Sequence, residues 1–305
     1  MDALTFPSVS TRGDAPPTAQ AIPPVDGRAL LRVEKRDGAT RLADLYMRDP
    51  LRLLFPRAPE GEPFSAVLAT TSGGLVGGDG LSIEIEAGEG AGLQLTGQAL
   101  EKIYRSAGPE TRVDLILRAG PGALLEALPQ GTILFDGARL ARRVTVDAAP
   151  DAAVMAGEIV SFGRAAMGER FARGSLYDRW EVRRGGRLIW ADALALEEGR
   201  AAAALAAPSG LAGATALGTS ILVAPEAPGA LELARGLLDS CLAGVHAGAN
   251  RAGVRAGASL VEGVLVARFL STDGAALRQA FSRYWQGLRS GACGLSARLP
   301  AIWQI

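Results

Sequence analysis

A chain of 305 residues that is 48% hydrophobic can remove roughly three quarters of its unfolded surface from water, so it needs no disulfide or metal staple to fold. Its 32 basic and 32 acidic residues cancel, which argues against a partner held by net charge, such as duplex DNA or an anionic membrane. Two cysteines, Cys241 and Cys293, are too few for a disulfide framework and fit a reducing, cytoplasmic setting.

Residues 1–27 are rich in Pro, Ala, Ser and Thr without periodicity and are expected to form a disordered or extended tail. They lack the basic start and apolar run of a secretory leader. From residue 28 onward the chain reads as a single β-rich domain. Strand candidates follow in order: Arg28–Glu34, Thr40–Arg48, Ala66–Thr70 and Leu81–Glu86, where Leu81, Ile83 and Ile85 share one face. Leu93–Thr96, Thr111–Leu117, Ala123–Leu125, Thr132–Phe135, Arg139–Val146, Val154–Phe162, Gly174–Arg183 and Arg187–Leu196 continue the series. The stretch EVRRGGRLIW is a hairpin signal, because Gly185-Gly186 tolerates the positive φ of a tight turn. A strand every 8–12 residues or so argues for a sandwich, barrel or stacked-sheet architecture.

The uncharged run Ala201–Pro225 is long enough to consider as a membrane span. Pro208, Gly210, Gly213 and Gly218 interrupt it, so a loop leading into a strand at Thr219–Val223 is the better reading. Beyond it the pattern changes. Leu231, Ala234, Leu237 and Leu238 take helical spacing near 230–244. After a strand at Ser259–Leu270, a second helix is expected near 273–289, capped by Thr272 or Asp273. Leu277, Phe281, Tyr284, Trp285 and Leu288 line one face of it, which reads as a core face.

The most distinctive stretch is TSGGLVGGDGL at Thr71–Leu81. It has neither the Gly-Lys-Ser/Thr of a phosphate loop nor the following helix of a dinucleotide fold. On its glycines alone it reads as a tight turn between strands. No G-x-S-x-G occurs, and the one histidine, His246, has no nucleophile motif beside it, so an enzyme is not expected.

Three further segments change the weight of that loop: LTGQALEKIYRS (Leu95–Ser106), LEALPQGTILFDGARL (Leu125–Leu140) and GEIVSFGRAAMGERF (Gly157–Phe171). In this order and spacing, over about 100 residues, the four resemble the UreD (UreH) family of urease accessory proteins. Gly80, Gly97, Leu100, Glu101 and Gly131 depart from its pattern. The resemblance implies a mainly β fold of stacked sheets in a β-helix-like arrangement with two helices in the C-terminal third. It also implies a non-catalytic scaffold that binds the urease structural subunits and UreF, is reached by UreG through UreF, and passes nickel transiently, with no tightly bound cofactor.

Conduit ligands would be weak and oxygen-rich. Asp79, Glu126, Asp136, Glu158 and Glu169 lie in the family segments and are the nickel-conduit candidates, with a salt bridge or turn bond as the competing role for each. Gly73, Gly74, Gly77, Gly78, Lys102, Tyr104, Arg105, Arg164 and Arg170 are the motif residues that either face a partner or pair with those carboxylates. Cys241 and His246 are a weak alternative metal pair, since a spacing of five residues does not suit one helix face. Two rival readings are a stand-alone nickel metallochaperone, which a single histidine disfavours, and a β-rich hydrolase.

Overall fold

The computed structural model describes residues 24–246 and 253–304, with the backbone alone for 243–246 and 304. Up to residue 23, the tail expected at 1–27 lies outside the described residues, and Asp26 and Gly27 already belong to the first strand. Seventeen strands form in chain order among the described residues. They are β1 (Asp26–Arg36), β2 (Ala39–Arg48), β3 (Leu51–Leu54), β4 (Phe64–Thr70), β5 (Gly80–Ala87), β6 (Gly92–Gly97), β7 (Glu101–Ile103), β8 (Thr111–Ala119) and β9 (Leu124–Leu128), then β10 (Thr132–Leu134), β11 (Arg139–Ala148), β12 (Ala153–Phe162), β13 (Ser175–Arg184), β14 (Arg187–Leu196), β15 (Ala216–Val223), β16 (Arg255–Val261) and β17 (Val264–Ser271). Helices α1 (Ala201–Ala206), α2 (Ala230–His246) and α3 (Gly274–Cys293) interrupt the series.

From β4 to β13 the chain alternates between two sheets. In the first, β1, β5, β8, β11 and β13 lie side by side and parallel. In the second, β4, β6, β9 and β12 do the same. Each circuit of the chain thus adds one parallel strand to each sheet, which makes a two-sided β-solenoid. Antiparallel strands close the ends: β2 and β14 on the first sheet, β3 and the set β15-β17-β16 on the second. The stacked-sheet expectation holds.

Period-2 alternation decides what lies between the sheets. Leu81, Ile83 and Ile85 of β5 and Leu93 and Leu95 of β6 point inward to one core. Among the described residues no element covers the outer face of the first sheet. Strand register places Arg32, Glu86, Arg118, Asp147 and Arg183 in one row across it, a run of alternating charge that keeps a broad face wet and adds little stability.

The outer face of the second sheet is covered by α2 and α3, forming a second core. Asp273 caps α3 by accepting from the N–H of Ala275 (2.8 Å) and Ala276 (3.1 Å). Leu277, Phe281, Tyr284, Trp285 and Leu288 are fully buried, as their spacing predicts. The helix comes this close because β12 offers Gly157, where a Cβ would lie 2.7 Å from the Trp285 ring.

The hairpin at Gly185-Gly186 forms, with φ of 55° and 77°. Three features differ from the sequence reading. Ser259–Leu270 is two strands, β16 and β17, folded back at Glu262-Gly263, both with positive φ. The loop expected after Ala201 begins with the short helix α1; its alanines and Leu205 have the best helix propensity, and Pro208 stops it. β3 and β7 are too short to show a period. No helix among the described residues is long and apolar enough to cross a membrane.

Candidate functional site

The stacked strands are interrupted at one level. β6 ends at Gly97 and pairing resumes at β7, while β9 ends at Leu128 and pairing resumes at β10. Pro129 has no N–H for a ladder, and Gly131 sits at φ 110° with no room for a side chain, since a Cβ would be 2.7 Å from the Ile159 carbonyl oxygen. β12 runs unbroken past the gap. Its residues 153–156 pair with β9 and 160–162 with β10, so Glu158 stands opposite the break. Here a cavity of about 270 Å³ opens between the sheets, room for several waters at about 30 Å³ each. Leu81, Ile83 and Val113 form its apolar wall, and Gln98, Ala99, Leu100 and Lys102, all exposed, form its mouth.

Its polar end is unusual in charge. Arg142 points inward from β11 and is 5% exposed. It donates through Nε (2.9 Å) and Nη2 (2.7 Å) to Asp178, its register partner on β13, and lies 2.9 Å from Glu158 through Nη1. One guanidinium therefore serves two buried carboxylates. Thr132 also donates to Glu158, at 3.0 Å. Across the cavity, Glu101 accepts from the Thr70 hydroxyl at 2.6 Å, with no lysine or arginine within ion-pair distance among the described residues.

Burial pushes the Glu158 carboxyl above its ordinary range; Arg142 pulls it back, and Asp178 raises it again. Burial likewise raises Glu101, and the Glu158 charge adds to the rise. A raised acid binds more protons folded than unfolded between its ordinary pKa near 4.5 and its folded value. Stability should therefore fall as pH rises through that window. Urea midpoints from about pH 5 to about pH 8 should show this fall, and E101Q/E158Q should flatten it. A double variant with the wild-type slope would refute the assignment.

The other candidate carboxylates are not brought to this cavity. Asp79, 4% exposed, accepts from the N–H of Val25 (2.7 Å) and Val76 (2.8 Å). It ties the glycine-rich loop to the start of β1 and is a turn clamp. Asp79→Ala should cost about 2–4 kcal/mol, because two N–H groups lose a charged acceptor. Urea unfolding measures this, and a loss under about 0.5 kcal/mol would contradict it. Glu126 lies on the opposite face of the second sheet and accepts from Trp285 Nε1 (2.6 Å), Gln94 (2.6 Å) and Arg289 (3.0 Å).

Asp136 and Glu169 lie at the strand ends, around an open pocket with Tyr104, Arg105, Phe135, Arg170 and Arg173. Asp136 accepts from the N–H of Ala172 (3.0 Å) and Arg173 (2.9 Å) and pairs with the Arg173 guanidinium. Glu169 pairs with Arg164 at 2.8 Å. These arginines hold both carboxyls below the usual range against the opposing effect of burial. Arg164 covers the Phe135 ring at 4.4 Å, and Tyr104 meets its edge.

The glycine-rich loop packs beside this pocket. A Cβ on Gly74 (φ 136°) would lie 2.4 Å from the Tyr104 ring, and the Tyr104 hydroxyl donates to the Gly73 carbonyl at 3.1 Å. Gly77 faces Ser106, and Gly78 lies beside Pro24. Gly73 and Gly74 also line the cavity, so the loop is the wall between cavity and pocket.

A family model described as UreD urease accessory protein matches residues 25–304. The chain is 44% identical over 281 residues to the urease accessory protein UreD of Magnetococcus marinus, covering 92% of this chain and 94% of that one. It is 47% identical over 267 residues to the UreD of Methylobacterium sp. strain 4-46, covering 88% and 90%. It belongs to the UreD urease accessory protein family.

In this UreD-family chain, the sequence singled out Gly73, Gly74, Lys102 and Glu158 of the cavity lining but not Arg142, Glu101, Thr70 or Thr132, nor Asp178, which pairs with Arg142. Arg142 carried one signal: in LARRV it takes the inward place between Leu140 and Val144. Asp178 comes to it through strand register, which no spacing reveals. Cys241 is buried, and burial pushes its thiol up, away from the thiolate that binds metal. The side chain of His246 lies outside the described residues. No cluster of three His, Cys, Asp or Glu side chains suited to a metal occurs among the described residues.

Proposed function

We propose that this urease accessory protein works in the cytoplasm as a non-catalytic scaffold. It docks on the urease structural subunits together with UreF, is reached by UreG through UreF, and lets nickel pass through its interior cavity towards the urease site. The supporting observation is that two carboxylates, Glu101 and Glu158, line the interior cavity, and that Glu101 has no lysine or arginine within ion-pair distance among the described residues. A largely buried carboxylate without an ion-pair partner beside a solvent-sized space calls for a proton or a cation. Carboxylate and hydroxyl oxygens hold a divalent ion without the grip of thiolate or imidazole, so an ion that enters can also leave.

Co-expression with the urease subunits and UreF, followed by tag purification, tests the assembly. Both partners should be recovered with the wild-type chain, and recovery of neither would overturn the reading.

A further inference from the structure

We propose that the pocket lined by Arg105, Arg170 and Arg173, with Arg164 held on its lining residues Glu169 and Phe135, is a docking site for an acidic segment of a protein partner, one that seats the partner beside the cavity mouth. This rests on the partner assembly proposed above and names the chemistry of one contact in it.

Four guanidinium groups face two carboxylates, Asp136 and Glu169, and each carboxylate is already claimed, by Arg173 and Arg164 respectively. Arg105 and Arg170 have no carboxylate within ion-pair distance among the described residues. Both are exposed, so two forked donors point to solvent with their charge uncompensated.

The arrangement is built rather than incidental. The backbone of Arg105 bridges to Ala138, and its stem lies over Gly137, where a Cβ would be 3.0 Å from both Cγ and Nε of Arg105. Gly137, at φ 84°, thus leaves a seat for the arginine. Phe135 is a fixed platform for Arg164, and Asp136 fixes the backbone at Ala172 and Arg173. Preorganised arginines lose less freedom on binding.

A carboxylate-bearing peptide fits better than a phosphate. Four local N–H groups are already used: those of Ala172 and Arg173 go to Asp136, that of Gly137 to the Arg173 carbonyl and that of Ser106 to the Gly137 carbonyl. These four cannot contribute to an anion-cradling nest, and Asp136 and Glu169 repel a multiply charged anion. Beside Arg164, Met167 is 76% exposed, an apolar contact suited to a protein surface. The wall to the cavity is Tyr104 against Gly73 and Gly74, which ties docking here to the cavity mouth.

The test is recovery of co-expressed urease subunits and UreF with R105E/R170E, at about 0.1 M and about 0.5 M NaCl. R41E/R143E, reversing two exposed arginines on the first sheet, is the control. R105E/R170E should lose at least about tenfold of one partner at low salt, the wild type should lose that partner at high salt, and the control should keep it. Equal recovery by R105E/R170E and wild type would overturn the docking site while leaving the assembly standing. Equal loss in the control would overturn its localisation to this pocket. Failure of the wild type to recover either partner would overturn the assembly and the docking with it.

Discussion

Arg142→Met should destabilise the chain by about 3–5 kcal/mol, the cost of leaving buried charge without its partner. Arg142 is the cation that pairs with both Asp178 and Glu158, and all three side chains are at most 10% exposed. With it gone, two carboxylates face each other across a low-dielectric gap. Glu158 can take a proton and so limit the damage; Asp178 loses both forks of its bidentate bond. Adding Asp178→Leu and Glu158→Gln should restore most of the loss, because an apolar replacement of a whole buried ionic group is often neutral. Urea unfolding of the three proteins decides it. A single variant within about 0.5 kcal/mol of wild type would show that the triad is not charged as described.

Arg289→Met should have a similar effect, about 3–5 kcal/mol, at the other face of the second sheet. Arg289 is fully buried, and its Nε lies 3.0 Å from both oxygens of Glu126. Its other nitrogens reach Glu62 and the Ser296 carbonyl. It thus joins β9, the loop before β4 and the segment after α3. Glu126 keeps Trp285 and Gln94 as donors but loses its counter-charge. The cavity lies on the opposite face, so partner binding should survive in whatever protein folds. If Arg289→Met left stability intact but removed nickel delivery, Glu126 would belong to the conduit after all.

The contrast between these sites shows what the sequence makes legible. Alternation in LSIEIE, the Gly185-Gly186 hairpin and the capped apolar face of α3 are local patterns, and each appears in the structure where the residues place it. The chemistry of the cavity is not local. Arg142, Asp178 and Glu158 are brought together by parallel register and by alternation of the chain between two sheets. Glu101 stands in the sequence only as a departure from the family pattern, and the break shared by β6–β7 and β9–β10 is what turns it inward. Conversely, Asp79 and Glu126 stand out in family segments because they hold the fold: one clamps a turn, the other a helix.

The most direct test of the account is the nickel content of urease recovered from cells that co-express its subunits and UreF with wild-type chain or with E101Q/E158Q. The substitutions keep size and hydrogen-bonding reach and remove both carboxylates of the cavity lining. The double variant should fold, recover both partners, and yield urease with at least about tenfold less nickel. Urease with wild-type nickel content from that complex would contradict passage through this cavity.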